Sequence, residues 1–187
     1  MDSITDKQKK IFDVMKEKFG YTNVMQTPKI EKVVISVGVG STKDKKRIEM
    51  IGEKLALITG QKPSASIAKK SIAQFKLREG EMIGYKVTLR GARMNGFIDK
   101  LVDIALPRTR DFRGLSVAAI DEMGNYTLGI KENTVFPETA DEDLRDVFGM
   151  AITVVTSAST SAETEAYLRG LGFPFSKEAP SSEEPAE

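Results

Sequence analysis

Apolar and polar positions alternate most cleanly over Ile30 to Val39. Val33, Ile35, Val37 and Val39 fall on one side, and Val34, Ser36, Gly38 and Gly40 on the other. A period of two marks a strand with one buried face. Ile83 to Arg90 repeats the pattern, with Ile83, Tyr85, Val87 and Leu89 opposed to Gly84, Lys86, Thr88 and Arg90. Elsewhere the period lengthens to that of a helix. Ile11, Phe12, Met15 and Phe19 form one stripe before Gly20, and Ile48, Ile51, Leu55 and Ile58 a second within 44–59 before Gly60. Phe97, Ile98, Leu101, Val102 and Ala105 form a third, expected to end at Leu106 because Pro107 follows. Thr5 with Gln8, and Thr160 with Glu163, have capping-box spacing; the second opens a helix through Tyr167, Leu168 and Leu171 to Gly172. Shorter strands are predicted over Pro63 to Ala68, Tyr126 to Ile130 and Ala151 to Ser157, with a short helix over Asp141 to Asp146.

Helices that are apolar on one side only, interspersed with strands, predict an α+β domain whose helices cover one face of a sheet. Residues 1–175 carry this pattern as a single domain. From Ser176 to Glu187 no large apolar residue occurs, and that acidic stretch is expected to be disordered because it cannot bury enough surface to offset its ordering entropy.

Composition narrows the chemistry. The chain has no Cys and no His, which excludes a disulfide framework, thiolate or imidazole zinc sites, a Cys nucleophile and a Ser-His-Asp relay. No run approaches the roughly 20 apolar residues of a membrane-spanning helix. Met1 to Lys10 is polar, without the apolar segment of a secretory signal. A cytoplasmic protein with no membrane partner is expected. Charge is uneven behind a formal net of +1: residues 1–59 carry +4, residues 60–115 carry +7 and residues 116–187 carry −10. Such asymmetry points to nucleic acid at the basic part, although charge alone fits a solvated surface equally well.

Geometry adds weight to the nucleic-acid reading. Lys86, Thr88 and Arg90 stand about 7 Å apart along the face that the core does not use, a spacing suited to successive phosphates and 2′-hydroxyls. Ser36 and Gly38 would let a backbone approach closely. Lys69, Lys70, Lys76 and Arg78 surround Phe75 in a loop or hairpin tip. There, either the ring stacks on an unpaired base or it docks the loop on the core. Two other chemistries have weaker support. Gly38-Val39-Gly40-Ser41 lies between strand and helix but lacks the third glycine of a dinucleotide turn and the Gly-Lys-Ser/Thr of a phosphate loop. Asp141, Glu142, Asp143 and Asp146 could hold Mg²⁺ for phosphoryl transfer, but acids also favour a helix's first turn. A general RNA chaperone is a third class, distinguished by binding many RNAs with little preference.

Several motifs in one order carry a resemblance. Gln61-Lys62-Pro63, Lys86-Val87-Thr88-Leu89-Arg90-Gly91, Arg93-Met94, Pro107-Arg108-Thr109-Arg110-Asp111-Phe112-Arg113-Gly114-Leu115, Gly124-Asn125-Tyr126 and Phe136-Pro137-Glu138 resemble the bacterial large-subunit ribosomal protein L five family. The likeness runs from Val24-Met25-Gln26 to Phe173-Pro174-Phe175. It implies an antiparallel sheet with helices on one face, RNA on the open face, no enzyme activity and no cofactor or metal. Implied partners are 5S and 23S ribosomal RNA, P-site tRNA, neighbouring large-subunit proteins of the 5S particle in the central protuberance, and a small-subunit head protein across an intersubunit bridge. By position, the resemblance assigns 5S contacts to Gln61, Thr88 and Arg90; Ser36, Lys86, Arg93, Arg110 and Arg113 are added as supporting contacts. The loop Ala68 to Arg78, with Lys69, Lys70, Ser71, Gln74, Phe75, Lys76 and Arg78, is assigned to tRNA. Three positions depart from the family pattern. Ser36 replaces a common Asn, Ala92 a usual Glu, and Thr139 an apolar residue.

Overall fold

A computed structural model describes residues 4–40, 42, 44–110, 112–140 and 147–176. The short helix expected over Asp141 to Asp146, and residues 177–187 of the expected tail, lie outside the described residues. Five strands form one sheet: β1 (Ile30–Gly38), β2 (Ser64–Ile67), β3 (Met82–Leu89), β4 (Tyr126–Ile130) and β5 (Met150–Thr156). Their order is β2-β3-β1-β5-β4, and every neighbouring pair is antiparallel. The helices are α1 (Ile4–Phe19), α2 (Lys45–Thr59), α3 (Gly91–Lys100), α4 (Leu106–Arg108) and α5 (Ser161–Leu171).

Alternation decides which side of the sheet is covered. Val33, Ile35 and Val37 of β1, Val87 and Leu89 of β3, Leu128 of β4 and Ile152 and Val154 of β5 are buried. They join one hydrophobic cluster with Met15, Leu55, Ile58, Phe97, Ile98, Leu101, Tyr167 and Leu168 from the helical layer. Phe97 stacks on Phe136 at 6.0 Å between ring centroids, which ties α3 to the Pro137 turn. Fully burying each large apolar side chain contributes about 1.5–3 kcal/mol, so this layer holds the helices to a single face. The α+β fold and the one-sided covering agree with the sequence pattern.

Helix ends follow local chemistry in two cases. The Asp44 carboxylate accepts from Lys46 N at 3.0 Å to start α2, and Gly60 (φ 67°) stops it by donating to Ala56 O. Thr160 caps α5 through Glu163 N, while Glu163 Oε2 reaches back to Ser159 N.

Two expectations need correction. α1 already runs at Ile4, so Thr5 is inside the helix and not its cap. Ile4 N donates instead to Asp99 Oδ1 at 2.9 Å, a distant acceptor on α3 in place of a local one. Nor does the third helix end at Leu106. A π turn (Leu101–Ala105) follows α3, with Leu106 N bonded to Leu101 O, and α4 continues through Pro107. The widened turn eases the clash between the proline ring and the preceding turn, and it tolerates the missing N–H.

Among the departures, Thr139 is buried and satisfied, its hydroxyl donating to Asn133 O at 2.7 Å. Gly84, placed by alternation on the open face, is buried because the backbone of β1 sits against it. A Cβ there would lie 2.6 Å from Val37 O.

Candidate nucleic-acid interface

Strand register converts the outward residues into rows that cross the sheet. Ser36 pairs with Lys86 on one side and Ala151 on the other; Ser64 continues the row beyond Lys86, and Gly129 continues it beyond Ala151. The next row is Thr88, Val34, Thr153 and Thr127, in which the two threonine hydroxyls of β4 and β5 are 3.1 Å apart. Lys32 opposite Val155 begins a third row, and Arg90 extends β3 beside it. Strands lie about 4.8 Å apart and alternate residues about 7 Å apart, so the rows form a shallow grid of phosphate-scale spacing.

No acid occupies these rows; apart from Val34 and Val155, their side chains are small, hydroxylic or cationic. Lys86 and Arg90 are exposed, and Thr88 is half-buried. Arg90 Nη1 makes a long 3.5 Å contact to Glu31 O, the carbonyl at a β1 irregularity between Ile30 and Lys32. Gln61, in the turn between α2 and β2, reaches the same corner; its Nε2 donates to Thr88 O at 3.4 Å. The fold therefore brings Ser36, Gln61, Lys86, Thr88 and Arg90 together. Lys32, Ser64, Thr127 and Thr153 also belong to this surface and were not singled out from sequence. Their signal was the outward half of each alternation, readable only once strand order is known.

Other assigned cations stand apart. Arg93 is exposed on the first turn of α3 and lines a cleft with Gly60 and Lys100 in the helical layer. Lys100 itself donates to Ile58 O at 2.7 Å and pairs with Glu138, which fastens α3 to the end of α2. Arg110 lines a cleft against Leu128 to Glu132 at the β4 edge, and Arg113 is exposed on the same loop. That edge is three strands from β3.

The basic loop is the tip of the β2–β3 hairpin. Its backbone is closed on itself by Ala68 N to Glu81 O (2.8 Å), Gly80 N to Ala68 O (3.0 Å) and the reciprocal Ile72–Leu77 pair. Ser71 Oγ accepts from Glu79 N, and Lys76 takes a left-handed φ of 51°. With backbone groups so satisfied, Lys69, Lys70, Gln74, Lys76 and Arg78 all point to solvent. Phe75 is 70 % exposed, so the ring does not dock the loop on the core. An open groove of about 650 Å³ runs between this tip and the start of α2, with Lys45, Lys76 and Arg78 on its walls.

The described residues hold no group of three or more Asp and Glu that could bind a metal, and no described helix is long and apolar enough to cross a membrane. What remains on the open face is hydrogen-bonding and charge-neutralising capacity without an activated nucleophile.

Comparison with known proteins points to a ribosomal protein family. Residues 23–78 match the family model described as "Ribosomal protein L5", and residues 82–175 match the model of the C-terminal region of that ribosomal family. The chain is 55% identical over 172 residues to "Large ribosomal subunit protein uL5" of Ureaplasma urealyticum serovar 10, covering 91% of this chain and 93% of that one. It is 51% identical over 168 residues to the protein of that same description in Streptococcus pyogenes serotype M5, covering 89% and 93% respectively.

Proposed function

The chain belongs to the ribosomal protein L5 family, and from that membership we propose that it binds 5S ribosomal RNA through the open face of its sheet and helps attach it in the central protuberance. The protein is a structural constituent of the large subunit of the cytoplasmic ribosome, not an enzyme. One observation supports the RNA reading: Ser36, Gln61, Lys86, Thr88 and Arg90 converge in strand rows that hold no acid, with Ser36, Lys86 and Arg90 exposed.

The wide, shallow minor groove of an A-form helix suits such a surface, since it displays 2′-hydroxyls and phosphates and asks for no deep insertion. Lys86 and Arg90 neutralise phosphates and release counterions, while Gln61, Thr88 and Ser36 set register through hydrogen bonds. Ser36 makes a hydroxyl contact where an amide is common in the family. Arg93, in the helical layer, and Arg110 and Arg113, on the loop toward the β4 edge, act as supporting cations toward 5S or 23S RNA. The hairpin tip, with Phe75 exposed among Lys69, Lys70, Lys76 and Arg78, presents cations and an aromatic surface to the elbow of P-site tRNA. Contacts with neighbouring proteins of the 5S particle and with a small-subunit head protein complete the assignment.

Competition tests it. Labelled 5S RNA bound to the chain at fixed salt is challenged with 5S RNA and with bulk tRNA. The 5S-binding reading requires 5S RNA to displace the label far more effectively. Equal displacement would establish a general RNA chaperone instead.

A further inference from the structure

A pocket of about 110 Å³ lies between the helical layer and the segment that enters β1, lined by Gln8 and Phe12 of α1, Val24, Thr27 and Lys29 of that segment, and Tyr167 of α5. The volume is the share of roughly four waters and is on the scale of a single ring, since an engineered cavity of about 150 Å³ takes a benzene. Thr27 is 8 % exposed, and its Oγ1 has no hydrogen-bond partner. An unpaired buried hydroxyl is uncommon and destabilises the fold that holds it. Two neighbours also have capacity left. Tyr167 Oη accepts from Ile30 N and, at 3.5 Å, from Gln8 Nε2; both contacts use its lone pairs and leave its proton for an acceptor. Gln8 keeps its carbonyl oxygen. The rim is held in place beforehand. Asn23 Oδ1 accepts from Met25 N at 3.0 Å, and Gln26 Oε1 accepts from Thr22 N and Asn23 N, which closes the turn carrying Val24. Position links the pocket to the open face. Lys29 N donates to Ser157 Oγ and Ser157 N to Lys29 O, both at 2.9 Å, so the pocket sits at the end of the sheet where β1 begins. Lys32, about 10 Å further along the strand, begins the third row of that face beside Arg90. Lys29 is exposed, with Nζ 3.9 Å from Met25 Sδ, and no acid is among the described residues that line the pocket. Cations thus lead from the open face to the mouth, which favours a base of RNA over a protein side chain as the occupant.

We propose that this pocket takes one unpaired pyrimidine base of a bound RNA strand, with the ring against Phe12 and its hydrogen-bonding edge on Thr27 Oγ1, Gln8 and Tyr167 Oη. Lys29 meets the phosphate attached to that nucleotide. Bases splayed out of the stack are the usual targets of sequence-specific RNA readers, and their Watson–Crick edge offers donors and acceptors that two hydroxyls and an amide match. A two-ring purine needs more room than the pocket has. The unpaired Thr27 hydroxyl gains its partner when the base enters, so the free protein is destabilised at a point that RNA relieves. The inference rests on the chain binding RNA, but not on that RNA being 5S.

The experiment titrates the full-length chain with oligouridylate and with oligoadenylate of equal length, followed by fluorescence anisotropy and by NMR of the Thr27 methyl and the Phe12 ring. Oligouridylate should move both signals and give a nuclear Overhauser contact between the Thr27 methyl and the uracil ring protons; oligoadenylate should give none. Thr27→Val keeps the side-chain shape and removes the hydroxyl. It should weaken oligouridylate binding about 2- to 10-fold, leave oligoadenylate binding as it was, and melt no lower than the parent chain. Gln8→Ala should act on the two oligonucleotides in the same sense. A Thr27→Val chain that melts lower with unchanged oligouridylate affinity would make the hydroxyl a structural group. Unmoved Thr27 and Phe12 signals would leave the pocket to water or to a protein side chain, and equal losses for both oligonucleotides would remove base selection. Each of these results overturns the proposal. Lys86→Ala with Arg90→Ala, which tests the sheet, should weaken both oligonucleotides alike and preserve the ratio between them, so failure of either reading is visible separately.

Discussion

Replacing Lys86 and Arg90 together by Ala should weaken 5S RNA binding while leaving the fold nearly intact. Both side chains are exposed, and among the described residues their one hydrogen bond is the 3.5 Å contact from Arg90 to Glu31 O. Surface changes of this kind cost within about 0.5 kcal/mol each, equivalent to a melting shift of at most about 4 °C. On RNA the loss differs in size. Each cation paired to a phosphate contributes about 1–3 kcal/mol. The two stand four residues apart along β3, about 13 Å, so their contributions should add. The double variant then binds at least about 30-fold more weakly. Two fewer neutralised phosphates also make the slope of log K against log salt shallower by about 1.5–2. Filter binding between about 50 and 200 mM salt measures both quantities, and a thermal melt monitored by circular dichroism checks the fold. Unchanged affinity and slope in a normally melting variant would refute the assignment of this face. Weak binding with an unchanged slope would mean that the cations act on structure and not on phosphate.

Three further outcomes follow from particular residues. Changing Lys69, Lys70 and Lys76 to Ala should spare 5S binding and loosen P-site tRNA on assembled ribosomes, read by tRNA dissociation; joint loss of both would show that tip and sheet are one surface. Gly84→Ala should destabilise by about 1–3 kcal/mol in urea melts because its Cβ meets Val37 O, whereas Gly129→Ala, with nothing within 4 Å, should be close to neutral. Equal effects would refute that difference in backbone approach. Hydrogen bonds from the Asn125 side chain and backbone hold Asp121 below the usual carboxylate range. The stability it contributes is therefore present above the ordinary carboxylate pKa and is lost as pH falls through the lowered value. Asn125→Ala should raise the Asp121 midpoint part of the way in an NMR titration, since the backbone N–H remains; an unmoved midpoint would remove the side-chain bond as the cause.

Much of the architecture was legible because burial imposes a period. Val33, Ile35 and Val37 fix the inward face of β1, and Val87 with Leu89 does so for β3. Ile48, Ile51, Leu55 and Ile58 fix one stripe of α2. Local signals failed where a distant group took over their role. Asp99 supplies the acceptor at the start of α1, so the Thr5 pattern marks no boundary. The π turn before Pro107 leaves no trace in hydrophobic spacing. The candidate surface was legible in part for the same reason. Lys86, Thr88 and Arg90 follow from one strand's alternation, but Lys32, Ser64, Thr127 and Thr153 join them only through register between strands distant in sequence. Nearness along the chain does not set nearness in space: Arg110 closes the basic middle segment, yet it lines a cleft at the β4 edge, three strands from β3.

Because the chain contains no cysteine, single cysteines can map the RNA-covered face directly. Ser36→Cys and Ser64→Cys lie on the open side of the sheet, and Glu17→Cys on α1 and Glu53→Cys on α2 lie in the helical layer; all four positions are exposed. Saturating 5S RNA should cut alkylation at residues 36 and 64 to a small fraction of its free rate and leave residues 17 and 53 unaffected. Protection of the helical pair, with the sheet pair still reactive, would contradict the account.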